Sequence, residues 1–191
     1  MITIRPYDKK DFRSVQDICM LTSWMKDDIT PVSRAYMCAM YCDYYLDNQS
    51  EFCFVAEDDG QVVGYILCAA DCDDYLEKMD ELYLPLVRKL SGKDHLRFVA
   101  QQRVEQRYIR AGYTAHMHIN LLPEYQRQGI GTQLVDALIN KLTQMCVEGV
   151  YLVCSNKNEG ARAFYEKCGF EDIDYITGCV VYGKKLFSED E

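Results

Sequence analysis

Residues 2–5 alternate apolar and polar, Ile-Thr-Ile-Arg, and stop at Pro6, which predicts a short first strand. Asp8 and Asp11 are each fit to cap a helix, because Phe12, Val15, Ile18 and Cys19 recur three and four apart on one helical face. Thr30-Pro31 joins a capping hydroxyl to a first-turn proline and predicts a second helix running to about Leu46. Two β-rich runs, 51–57 and 61–69, flank Asp58-Asp59-Gly60 and read as a hairpin. From 71 to about 110 the period is helical, with Leu76, Met79, Leu82, Tyr83 and Leu86 on one face, a break or kink at Pro85, and a turn at 91–94 before a further helix. The run 113–122 is strand-like and ends at Pro123-Glu124. A helix striped by Leu134, Leu138 and Leu142 opens at Gly129-Ile130-Gly131, and a buried strand comes next over 150–154. A last helix over 158–168 stops at Gly169, and the runs 170–175 and 178–187 pair as closing strands before a fraying charged end at 188–191.

This order of elements predicts an α/β fold on one domain spanning 1–191, with a helical insert at about 71–112. At 191 residues the chain is long enough to bury a core without a disulfide or metal staple. No apolar run reaches the roughly 20 residues of a membrane helix, and the polar start is unlike a signal peptide, so a cytoplasmic protein with no membrane partner is expected. The ten cysteines are then reduced thiols; none are spaced C-x-x-C, and no metal site is expected. A net charge of −9 argues against a nucleic-acid surface and leaves two readings, solubility or attraction of a cationic partner.

The string Leu122-Pro123-Glu124-Tyr125-Gln126-Arg127-Gln128-Gly129-Ile130-Gly131-Thr132 passes from a strand end through a glycine turn into a helix. Free backbone N–H groups at a helix start can hold a pyrophosphate without basic side chains, and glycines at 129 and 131 let the backbone come close. By spacing alone an ordinary tight turn fits equally well. The sequence is not a P-loop, since no Gly-Lys-Ser/Thr is present after it, and it lacks the third glycine of a dinucleotide fingerprint.

The run Gln126-Arg127-Gln128-Gly129-Ile130-Gly131 resembles the Q/R-x-x-G-x-G/A motif of the GNAT N-acetyltransferase superfamily. Asn158-Glu159-Gly160-Ala161-Arg162-Ala163-Phe164-Tyr165-Glu166-Lys167-Cys168-Gly169-Phe170 is similar to that family's N-x-x-A-x-x-F-Y-x-x-x-G-F segment. The resemblance implies a mixed, mostly antiparallel sheet flanked by helices, with acetyl-coenzyme A where the fourth and fifth strands part. Its pyrophosphate would rest on the amides of Arg127, Gln128, Gly129, Ile130, Gly131 and Thr132. Its pantetheine would pair with the backbone of Ile119, Asn120 and Leu121. Asn158 would touch the cofactor arm, and the motif residues Gln126, Ala161 and Phe164 belong to the same site. Tyr165 falls at the general-acid position, where a phenol protonates the departing thiolate; as a bare residue it reads equally as a core aromatic.

Acyl transfer needs a neutral amine, so some group must accept a proton. His116 and His118, two apart on the candidate fourth strand, face one way and resemble the histidine pair of the arylalkylamine N-acetyltransferases, with the glycine motif about one residue nearer here. Packed strand histidines are the alternative, and His95 reads as a surface or packing residue. Many bacterial members with a similar strand, and the acetyltransferase-like domain of some O-GlcNAc-removing enzymes, carry aspartate where this chain has Asn120, which cannot take a proton at neutral pH. For the acceptor, Trp24, Asp27, Asp28, Tyr36, Tyr41, Tyr44 and Tyr45 would offer aromatic walls and carboxylates to a cationic amine. The acidic run through Asp71, Asp73, Asp74, Glu77, Asp80 and Glu81 reads as a second candidate or a solvated face. The expected activity is direct transfer of an acetyl group from acetyl-coenzyme A to a primary amine, a small molecule in preference, by a monomer or homodimer. The alternative is a non-catalytic acyl-coenzyme A binding or sensor domain.

Overall fold

The computed structural model describes residues 1–90 and 106–187. The turn expected at 91–94, the helix start beyond it with His95, and the charged end at 188–191 lie outside the described residues. Seven strands form one sheet in the order β1-β2-β3-β4-β5-β7-β6. They are β1 (Thr3–Pro6), β2 (Phe54–Asp58), β3 (Gln61–Ala69), β4 (Ala115–Leu121), β5 (Gly149–Ser155), β6 (Glu171–Ile176) and β7 (Cys179–Lys185). All neighbours are antiparallel except β4 and β5. The hairpin turns at Asp59 and Gly60, both with positive φ, the twist a tight antiparallel connection requires.

Alternation along β3 divides the core. Tyr65, Leu67 and Ala69 meet α1 (Phe12–Thr22), α2 (Pro31–Tyr41) and α3 (Asp43–Asn48), whereas Ile66 and Cys68 meet α6 (Ile130–Gln144). The stripe predicted for α6 is all core: Leu134, Leu138 and Leu142 are each wholly buried. In α1, Val15, Ile18 and Cys19 are buried as predicted. Asp8 caps a short 3-10 turn, while the Asp11 carboxylate is taken by Arg5 at 2.6 and 2.9 Å.

Two predicted helices need correction. The helix from Thr30 is capped as expected, Thr30 and Ser33 bonding reciprocally, but it breaks at Cys42, whose φ of −138° and ψ of −60° leave helical geometry, and α3 starts anew at Asp43. Between α4 (Cys72–Lys78) and α5 (Leu84–Leu90), residues Met79–Tyr83 form a π-turn in which the Leu84 N–H reaches back five residues to the Met79 carbonyl. The wide turn shifts the apolar phase. Met79, Leu84 and Val87 are buried, while Leu82 and Leu86, placed on the inner face by uniform helical spacing, are 59% and 42% exposed. Residues 106–110 are helical and bring Tyr108 onto Tyr151 of β5, ring centroids 5.2 Å apart. All ten cysteines are free, and no helix among the described residues is long and apolar enough to cross a membrane.

Candidate active site

β4 and β5 pair only at Ala115 with Val150 and His116 with Tyr151; beyond that β4 is bonded to β3 alone. The parted strands open a cleft of about 1040 Å³. One wall is β4, with Met117, His118, Ile119, Asn120 and Leu121; the other is the outer half of β5 and α7 (Glu159–Lys167), with Cys154, Ala161, Phe164 and Tyr165. Gln126, Arg127, Gly129, Gly131 and Thr132 line one end, and Thr22 and Trp24 reach in from the end of α1.

The glycine turn works by two separate means. Gly129, at φ 79°, is the left-handed residue that starts α6, and a Cβ there would meet nothing within 4 Å, so its reason is conformational. Gly131 admits the Phe164 ring, which a Cβ would approach to 3.1 Å. The second glycine thus also fits α6 against α7, a contact its place in the motif does not reveal. The first-turn N–H groups of α6 have no carbonyl behind them within the helix, and its dipole adds positive potential at the cleft. Arg127, Lys157 and Lys167 place three cations on the lining of a chain whose total is −9. Lys157 stands next to the second motif and Lys167 at one of its unspecified positions, so neither is marked by the motif itself.

Of the residues predicted for their backbone amides, Ile130 has a core side chain, and Gln128 turns its side chain away to donate to the Glu124 carbonyl at 2.7 Å. Gln126 donates to the Leu121 carbonyl at 3.0 Å, fastening the turn to the end of β4. Asn158 caps α7, its Oδ1 accepting from the Ala161 N–H at 3.1 Å. Tyr165 is half-buried, packed on Tyr182 and Phe170, and burial pushes its phenol well above the ordinary value.

The histidines divide. His118 lines the cleft; its Nε2 is buried without a hydrogen-bond partner among the described residues, and Tyr41 and Tyr45 stand edge-on to its ring. His116 lies behind it, 3% exposed, stacked on Tyr151 and sharing a 3.0 Å hydrogen bond between its Nδ1 and the Tyr45 hydroxyl. The two rings are 4.7 Å apart. Burial lowers His118 to about 4; burial, then the neighbouring His118, pushes His116 well below the ordinary value. Both are neutral at pH 7.

The acceptor wall predicted from aromatic and acidic residues is largely elsewhere. Tyr36, Tyr44 and Tyr45 are core, and Asp27 and Asp28 are exposed outside the cleft lining. Asp74 is occupied by Lys78 and the Tyr44 hydroxyl, and Asp71 caps α4. Of that set only Trp24 lines the cleft directly, and among the described lining residues Glu159 at the start of α7 is the sole carboxylate.

A model of the acetyltransferase (GNAT) family matches residues 18–170. N-alpha-acetyltransferase 30 of Schizosaccharomyces pombe is 27% identical over 170 residues, 89% of this chain and 84% of the yeast protein. An N-alpha-acetyltransferase of Sulfurisphaera tokodaii is 26% identical over 166 residues, 84% of this chain and 83% of its own length. The crystal structure of SsHAT superposes with a TM-score of 0.86 at 27% identity, covering 98% of this chain and 99% of that one.

Proposed function

The chain belongs to the acetyltransferase (GNAT) family, and on that footing we propose that it moves an acetyl group from acetyl-coenzyme A directly to a primary amine bound in the same cleft. The observation that carries this reading is the parting of β4 from β5 after two residue pairs, with a helix N-terminus at one end of the gap and Tyr165 on its wall. The residues fit the co-substrate. An elongated anion needs cationic and N–H donors at one end and free strand backbone along its arm, and the α6 start with Arg127 and the unpaired side of β4 supply them. Bound acetyl-coenzyme A brings an activated thioester; the chain's own groups do the rest.

The amides of Arg127, Gln128, Gly129, Ile130, Gly131 and Thr132 hold the pyrophosphate, and the backbone of Ile119, Asn120 and Leu121 orients the pantetheine. Gln126 fixes the turn, Asn158 fixes the start of α7, and Ala161 and Phe164 form the apolar wall. Tyr165 keeps its proton at neutral pH and gives it to the coenzyme A sulfur. His118 takes the proton from the amine, with His116 and Tyr45 behind it to fix its ring. A single acetyltransferase domain over 1–191, a cytoplasmic location and a monomer or homodimer complete this reading.

Two acceptors suit this chemistry. One is a small primary amine; the other, favoured by the names of the two N-alpha-acetyltransferase relatives, is the α-amine of a polypeptide. The scarcity of carboxylates in the lining speaks for an acceptor recognised without charge pairing in both cases. Release of coenzyme A thiol, measured against a panel of small amines and of short peptides with free or blocked N-termini, separates them. Calorimetric binding of coenzyme A with no release from any amine would transfer the protein to the non-catalytic binding or sensor class.

A further inference from the structure

Asn120 occupies an unusual corner of the cleft. It lies on β4 two residues from His118, so both side chains leave the same face of the strand. It stands directly across from Tyr65 of β3, and its Nδ2 donates to the Tyr65 hydroxyl at 2.8 Å. Tyr65 is wholly buried, and its hydroxyl oxygen is the acceptor of that bond. The Asn120 amide nitrogen is thereby held toward Tyr65 and its carbonyl oxygen away. Among the described residues nothing bonds Asn120 Oδ1, and nothing bonds His118 Nε2.

We infer that Asn120, locked by Tyr65, offers its amide oxygen to an N–H of the acceptor amine and so selects primary over secondary amines; Asn120 is the specificity residue and Tyr65 the positioning residue behind it. The inference rests on the acetyltransferase reading and deepens it. A primary amine attacking through its lone pair carries two N–H groups. One proton goes to His118, and the other N–H remains to donate to Asn120 Oδ1. A secondary amine has only one N–H, which the proton acceptor must take, so it cannot make the Asn120 bond. A carboxylate at this position could serve as base; a neutral amide can only hold and sort, which separates proton transfer from recognition on neighbouring positions of one strand. The backbone of Asn120 stays free to orient pantetheine while its side chain faces the amine.

The test uses the best primary amine from the panel and its N-methyl derivative. Asn120→Ala is expected to lower kcat/KM for the primary amine by about five- to tenfold, the scale of one lost hydrogen bond, through KM more than kcat. The effect is read as a fall in the ratio of primary to N-methyl substrate, so that any change in coenzyme A binding, which both amines share, cancels. Tyr65→Phe should give part of the same loss and add nothing to Asn120→Ala in the double variant. Asn120→Asp loses the N–H that Tyr65 holds and adds a second proton acceptor, so it too should lose the discrimination, and it carries the test if the alanine variant does not fold. Equal losses on both amines, or a discrimination kept in a folded Asn120→Asp, would each overturn the inference. Absence of transfer by the wild type to every amine removes the acetyltransferase reading and this inference together; transfer with an unchanged primary-to-secondary ratio in Asn120→Ala removes this inference alone.

Discussion

Burial of the Tyr165 ring between α7 and β7 holds its phenol protonated across the range in which the protein would work. Replacing it with phenylalanine keeps the ring packing and removes only the donated proton. Tyr165→Phe is therefore expected to lower kcat about 100-fold or more, the usual weight of a general acid, with coenzyme A binding unchanged in calorimetry. A fully active variant would return Tyr165 to a packing role. His118 carries a second prediction. With its pKa lowered to about 4 by burial, it is already a base at pH 6, so the acid limb of kcat/KM, expressed per neutral amine because only that form attacks, should fall near 4 and be flat from there to neutrality. A limb between 6 and 7, where an ordinary histidine titrates, would show that another group takes the proton. The spacing of the two histidines on a strand is plain in the sequence; their burial, which decides this pH range, depends on Tyr41, Tyr45 and Tyr151 arriving from elsewhere in the chain.

Elements follow their local patterns where one period is kept and depart from them where the backbone inserts a residue. α6 keeps its stripe from end to end, and its glycine turn was readable because only glycine takes φ 79° without strain. The insert does not. Its π-turn moves burial from Leu82 and Leu86 to Leu84 and Val87, and no short-range rule signals a five-residue hydrogen bond. Leu84→Ala should accordingly destabilise by about 2–5 kcal/mol, and Leu82→Ala by less than about 0.5 kcal/mol. Urea unfolding of the two variants checks this, and the reverse order would restore the uninterrupted helix. The break at Cys42 has the same character: apolar spacing continues through it from Tyr36 to Leu46, so the pattern alone reads as one helix.

For the molecule as a whole, buried ionisable groups tie stability to acid. A histidine whose folded pKa lies below its unfolded value binds its proton first in the unfolded chain, so its contribution is complete above about 6.5 and is lost as pH falls toward 4. For His118 that is on the order of 3 kcal/mol, and buried His116 adds in the same direction. Burial raises Asp11, but the Arg5 guanidinium and the Asp8 N–H outweigh it and hold the carboxyl below its ordinary value, which removes stability at still lower pH. The urea midpoint should therefore drop steadily from pH 7 to 4, and a midpoint constant over that range would contradict the burial of the histidine pair. The charge of −9 has no single home: acidic side chains spread over the outside, while Arg127, Lys157 and Lys167 stand at the cleft. Sequence alone determined what is local and periodic: the strands, the two motifs, the glycine turn, the stripe of α6 and through them the family. The tertiary structure decided what depends on contacts between distant segments. Tyr36, Tyr44 and Tyr45 became core although their spacing also suits a pocket wall, Gly131 proved to be a seat for Phe164, and Tyr65 came to lock Asn120 across the sheet. The reason is that a side chain's period fixes which face it shares, whereas the neighbour across that face is set only when the strands and helices pack.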